Sequence, residues 1–122
     1  MPDCSLPRTE RLRSLGAVRR MFESGESGFI FPFRYVWFAE ADEIPSAEVL
    51  FSVPKKFHKR ANTRNLLRRR TKEAYRLQKL LLHNGRPVNL DLALIYSSKE
   101  ELSYKTISNA VRRILETVAE HL

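Results

Sequence analysis

Residues 51–77 read FSVPKKFHKRANTRNLLRRRTKEAYRL, and they change character twice. The stretch opens as the end of a strand: residues 48–53 (EVLFSV) are rich in β-branched and aromatic residues, and Pro54 closes them. A short cationic loop follows. From about residue 62 to 83 comes the longest helical pattern in the chain, ended by Asn84-Gly85 and barred from continuing by Pro87. Residues 89–96 (NLDLALIY) then read as a buried strand. The order is strand, basic loop, long helix, strand.

At 100° per residue the long helix divides into two faces. Leu67, Thr71, Ala74 and Leu81 share one, flanked by Leu77 and Leu82. Arg64, Asn65, Arg68, Arg69, Lys72, Arg76 and Lys79 share the other, with Arg64, Arg68, Lys72 and Arg76 four residues apart in one stripe. The full chain carries +8, but residues 55–79 alone carry +10, with Glu73 their single acid, and the remainder sums to −2. Like charges four apart on a helix cost about 0.2–0.5 kcal/mol per pair, a cost that a polyanion offsets. Arginine's planar fork suits phosphate, and Asn65 within the stripe suits a base edge or ribose hydroxyl. The expected partner is nucleic acid.

Upstream, residues 1–8 read as an irregular arm. Residues 14–24 read as a short helix with Ser14 as N-cap and Leu15, Val18 and Phe22 on one face, stopped by Gly25 and Gly28. Residues 29–31 form a short strand. Residues 33–40 (FRYVWFAE) form a longer one, with Pro32 marking its start or an edge position. A turn at residues 42–46 joins it to 48–53, which implies an antiparallel pair. Downstream, Ser98 and Glu101 make a capping box for a last helix, in which Ile107, Val111, Ile114 and Val118, backed by Ala110 and Leu115, repeat at helical spacing. The sum is a single α+β domain over residues 1–122, a sheet with helices packed on it.

Other chemistries find little support. No stretch approaches the ~20 apolar residues of a membrane helix, and the N-terminus lacks the apolar core of a signal peptide. The expectation is a cytoplasmic protein with no membrane partner. Cys4 is the sole cysteine, and His58, His83 and His121 show no metal-ligand spacing, so no cofactor or metal is expected on the protein. No carboxylate cluster or histidine pair suggests an independent nuclease.

With these residues in view, the chain resembles the bacterial ribonuclease P protein family. The signature runs through Ser52-Val53, Lys55-Lys56, Arg64-Asn65, the cations Arg68, Arg69 and Lys72, and Glu73-Ala74-Tyr75. Arg11-Leu12, then a helix ending in Met21-Phe22 and Gly25, is similar to the family's N-terminal part. The chain departs from the pattern at Leu66, where a second arginine is usual, leaving Arg68 or Arg69 to cover that contact. It departs also in a loop (57–63) one residue longer, and at Val18, where an aromatic is common.

The resemblance implies a compact two-layer α/β sandwich with about four strands and three helices. Its β-α-β crossover would be left-handed, against the general rule. It implies a non-catalytic subunit of an endoribonuclease that frees the 5′ end of tRNA. The partners would be a catalytic RNA carrying Mg2+ and precursor tRNA, with one protein per RNA. Lys55, Lys56, Lys59, Arg60, Arg64, Asn65, Arg68, Arg69, Lys72 and Arg76 would bind the catalytic RNA. A cleft between the first helix and the sheet would hold the single-stranded 5′ leader, with Phe22 and Val18 matching family positions there.

The residues themselves add to the cleft. Single-stranded RNA is held by cationic grooves and stacking aromatics, and Phe22, Phe29, Phe31, Phe33, Tyr35, Trp37 and Phe38 crowd the first third of the chain. Alternation sets Arg34, Val36 and Phe38 against Phe33, Tyr35 and Trp37. Arginine is disfavoured in a core, which assigns the face of Arg34 and Val36 to the cleft. A structural or ribosomal-type RNA-binding protein is the alternative reading.

Overall fold

The structure, a computed structural model, describes residues 15–41, 46–82 and 88–122. Helix α1 (Leu15–Ser24) leads into strands β1 (Glu26–Ile30), β2 (Phe33–Ala41) and β3 (Ser46–Ser52). Helix α2 (Ala61–Gln78) follows and tightens into a 3-10 turn over Lys79–Leu82. Strand β4 (Val88–Tyr96) and helix α3 (Tyr104–Glu120) complete the chain. The arm at residues 1–8, the expected cap at Ser14, the turn around Pro45 and the stop at Asn84-Gly85 lie outside the described residues.

The sheet order is β1-β2-β4-β3. β1 and β2 form an antiparallel hairpin turned at Phe31 and Pro32, β2 pairs antiparallel with β4, and β3 runs parallel to β4. The fold is therefore α+β, with three helices on a four-stranded mixed sheet. The antiparallel pairing of β2 with β3 expected from their short connection is not formed, because β4 lies between them. Leu90, Leu92, Leu94 and Tyr96 alternate with Asp91, Ala93 and half-buried Ile95 on β4, so the strand is enclosed on both faces. A strand apolar on both faces belongs in the middle of a sheet. β3, with exposed Ser46 and half-buried Glu48, tolerates an edge.

On one sheet face Phe33, Tyr35, Val49, Phe51, Leu92 and Leu94 meet Leu67, Ala74 and Tyr75 of α2 and the buried row of α3. Ile107, Ala110, Val111, Ile114, Leu115 and Val118 are all buried, as their spacing predicts. In α2 the apolar seam is Leu67, Thr71, Ala74 and Tyr75, with the Thr71 hydroxyl donating to Leu67 O (2.8 Å). Leu77 (51% exposed) and Leu81 (41%) face out instead of flanking it. The 3-10 turn has three residues per turn, so it shifts the phase of the helix, turning Leu82 inward and burying Lys79, which sequence periodicity assigns to the cationic stripe.

The capping box expected at Ser98 and Glu101 is also displaced. Tyr96 donates its hydroxyl hydrogen to Glu100 O (2.6 Å) and accepts from Leu102 N–H (3.2 Å). Ser98 Oγ accepts from Glu100 N–H (3.1 Å). These bonds hold the segment after β4 in turns, and α3 starts only at Tyr104, where Ser103 Oγ accepts from Thr106 N–H (3.3 Å).

In the hairpin, Gly28 lies opposite Tyr35, whose ring fills the place of a side chain. A Cβ on Gly28 would sit 2.5 Å from Tyr35 Cζ. Gly28→Ala is therefore expected to force the ring aside and destabilise the fold by about 1–3 kcal/mol, read as a lowered midpoint in urea unfolding.

Candidate RNA interface

The loop between β3 and α2 is built before its charges matter. Pro54 O accepts from Phe57 N–H (3.2 Å) and His58 N–H (3.3 Å), which turns the chain. His58 is buried, stands edge-on to Tyr96 (ring centroids 5.6 Å apart) and holds Ser98 O through Nε2 at 2.8 Å. A carbonyl only accepts, so Nε2 carries the hydrogen. Arg64 donates to Lys59 O (2.7 Å) and His58 O (3.2 Å). The loop is thus fastened near its α2 end, by His58 to Tyr96 and the segment after β4, and by Arg64 to α2. Lys55, Lys56, Lys59 and Arg60 are exposed on it.

Arg60 occupies the cap position of α2 without a capping side chain, and no acid lies in the first turn. The amide hydrogens there remain directed at the solvent beside four cations, which favours an anion. Further along, Arg68 donates to Asn65 Oδ1 (3.2 Å), Arg69 is exposed, and Lys72 is half-buried. Arg76 differs: its Nε (3.0 Å) and a terminal nitrogen (2.5 Å) fork onto Glu73, and this bond holds the Glu73 carboxyl below its ordinary range. Arg70, outside the stripe, ties α2 to Leu102 O (2.6 Å). The sequence-derived stripe therefore resolves into a loop-fastening Arg64, an Asn65–Arg68 pair with exposed Arg69 and half-buried Lys72 beside it, and an Arg76 paired with Glu73.

The other sheet face is the one beneath α1. Met21, fully buried, and half-buried Val18 pack on Val36 and Ala93, with Phe38, Leu50 and Ile95 around them. The seam of α1 is Val18 and Met21, not Val18 and Phe22, and Phe22 is 45% exposed. Alternation in β2 is as the sequence indicates: Arg34, Val36 and Phe38 share this face, with Arg34 exposed and Val36 buried.

The register lays out this face in rows running β2, β4, β3: Arg34–Ile95–Ser52, then Val36–Ala93–Leu50, then Phe38–Asp91–Glu48. One end is basic and the other acidic. Arg20 bridges α1 to the acidic end, 3.6 Å from Glu40 and 3.8 Å from Asp91, with its guanidinium 5.4 Å from the Phe38 ring centre. Arg20 and Phe22 lie about 160° apart around the helix, so Phe22 projects from the flank away from those carboxylates. A cavity of about 380 Å³ at the far end of β2, lined by Glu26, Glu40 and Trp37 among others, is acidic and separate from the basic loop. Among the described residues no three His, Cys, Asp or Glu side chains group as metal ligands, and no helix is long and apolar enough to cross a membrane.

The sequence profile of the Ribonuclease P family matches residues 6–119. The chain belongs to that family. It is 30% identical to the ribonuclease P protein component of Porphyromonas gingivalis strain W83 over 97% of this chain and 89% of that protein. A segment covering 64% of the chain is 40% identical to the component of Chlorobaculum tepidum, over 53% of that protein. Among solved structures, the RNase P protein from Thermotoga maritima superposes with a TM-score of 0.71 at 21% identity, over 88% of this chain and 96% of that one. That from Staphylococcus aureus gives 0.68 at 19%, over 94% and 93%. These structures share the fold.

Asp91 is almost fully enclosed, and burial pushes its carboxyl above the ordinary range, helped by Glu48 and Glu40 and opposed by Arg20. A raised folded-state value means the protonated form favours folding, so its contribution is present at low pH and fades as pH rises through the raised value. Asp91→Asn is thus expected to match or exceed the parent's stability at neutral pH. The difference should shrink as pH falls through the raised value towards the ordinary aspartate value and level off below it, as read from thermal unfolding of both proteins across pH.

Proposed function

We propose that this chain is the protein subunit of a cytoplasmic ribonuclease P, joining one catalytic RNA and assisting removal of the 5′ leader from precursor tRNA. The catalytic RNA, with its bound Mg2+, cuts the phosphodiester bond. The protein supplies charge and a groove. The observation that carries this reading is the fastened basic loop running into the cationic face of α2, in a chain of this family.

Lys55, Lys56, Lys59, Arg60, Asn65, Arg68, Arg69 and Lys72 contact the phosphates and edges of the catalytic RNA in this proposal. Arg64 acts mainly by holding the loop in place. Arg76 contributes through its pair with Glu73, which lowers its net charge towards a phosphate. The leader lies in the cleft under α1, against Phe22, Val18, Arg34 and the edge of Val36. Val36 is buried, so its part is to shape the floor.

The test is precursor tRNA cleavage at low Mg2+ by a bacterial ribonuclease P RNA, with and without the protein, and by the protein alone. Strong stimulation with no cleavage by protein alone is expected. Binding without stimulation of a compatible RNA would mark a structural RNA-binding protein, and cleavage by the protein alone would place an active site on it.

Two variants refine the assignment. Arg68→Ala should weaken binding to the catalytic RNA and reduce the slope of log affinity against log salt by roughly 0.7–0.9; an unchanged slope removes Arg68 from the interface. Phe22→Ala should weaken precursor tRNA binding and spare mature tRNA, and Phe22 is exposed enough for the fold to persist. Equal loss for both tRNAs argues against a leader cleft.

A further inference from the structure

The rows of the α1 face do more than mark a cleft. Among the described residues they leave one acid-free row with an exposed cation across β2, β4 and β3. The row Phe38–Asp91–Glu48 and the neighbouring Glu40 repel phosphate, and the row Val36–Ala93–Leu50 lies against α1. The remaining row, Arg34–Ile95–Ser52, carries an exposed cation and no acid. At its β3 end Ser52 passes directly into Val53, Pro54 and the exposed Lys55 and Lys56. At its other end the hairpin register extends it by one residue: Phe29 of β1 is the partner of Arg34, so both project from the same face. Phe29 is 58% exposed on an edge strand, and it is absent from both apolar clusters.

An aromatic ring more than half exposed on an edge strand, one strand spacing from an exposed arginine, is the pairing that holds a nucleotide: ring on base, guanidinium on phosphate. We propose that Phe29 is a stacking platform for a leader base, and that the leader crosses the sheet along this row from the Lys55–Lys56 loop to the β1 edge. This rests on the leader-binding reading above and adds the route and its far end. Phe29 to Ser52 spans three strand spacings, about 14 Å, so a leader that enters at the loop, as proposed, reaches Phe29 last. Stacking tolerates any base, so the platform reads leader length rather than sequence.

The experiment uses holoenzyme assembled from the protein and its catalytic RNA, with precursor tRNAs whose leaders lengthen one nucleotide at a time. In the parent, affinity should step upward when the leader reaches Phe29. Phe29→Ala should lose that step, about five-fold or more, while retaining parental affinity for mature tRNA and the shortest leaders. Phe29→Trp should restore it. An abasic nucleotide at the step position should weaken the parent and leave Phe29→Ala unchanged, an effect that altered folding would not produce. Retention of the step in Phe29→Ala, or equal loss on mature tRNA, overturns the platform and leaves the cleft standing. No dependence on leader length in the parent overturns both.

Discussion

Strand β4 is enclosed on both faces, with only Asn89 and Asp91 interrupting its apolar side chains, and that single requirement organises the molecule. It cannot lie at an edge, so β2 and β3 must separate to admit it. Both its faces must also be covered. α2 and α3 cover one through Leu67, Tyr75, Ile107 and Ile114. α1 covers part of the other with Val18 and Met21. The parallel pairing of β3 with β4 demands a long connection, and α2 provides it. The cationic face of α2 is exposed because its opposite face is committed to the sheet.

Local signals in the sequence reached far. The alternation that separates Arg34 and Val36 from Phe33 and Tyr35, the buried row of α3 and the cations of the basic segment are each set by a few neighbouring residues. What was not legible depended on distant partners. The insertion of β4 between β2 and β3 joins residues 43 to 63 positions apart, which no local pattern encodes. Ser98 resembles a cap until Tyr96 takes the backbone groups of Glu100 and Leu102. Lys79 follows the stripe until the helix tightens beneath it. In the candidate interface, all the cations were legible as cations, but their division of labour was not. Arg64 turns to loop carbonyls, Arg76 to Glu73, and His58, unmarked by any motif, joins the loop to Tyr96 and the segment after β4.

The charge layout gives the two sides of the molecule different tasks. Along the loop and α2 the charge is predominantly positive, with Glu73 the single acid, which attracts nucleic acid over distance without specifying a pose. Beneath α1 the signs are opposed across a few residues, from Arg34 to the Asp91 and Glu48 end. Opposed signs orient a charged strand as well as attract it. The buried Asp91 belongs to this arrangement: the desolvation that raises its carboxyl sets against the ion pair with Arg20 that helps seat α1.

The position of β4 also bears on how the chain is made. β2 and β3 emerge from the ribosome well before the strand that lies between them. Some 36 residues separate Ser52 from Val88, a few seconds of synthesis at roughly 5–20 residues per second. During that interval the inner edges of β2 and β3 have no native neighbour, and a direct pairing between the two is the available error. The sheet can close only when Tyr96 has left the exit tunnel, so the nascent chain depends on its last third to complete its first.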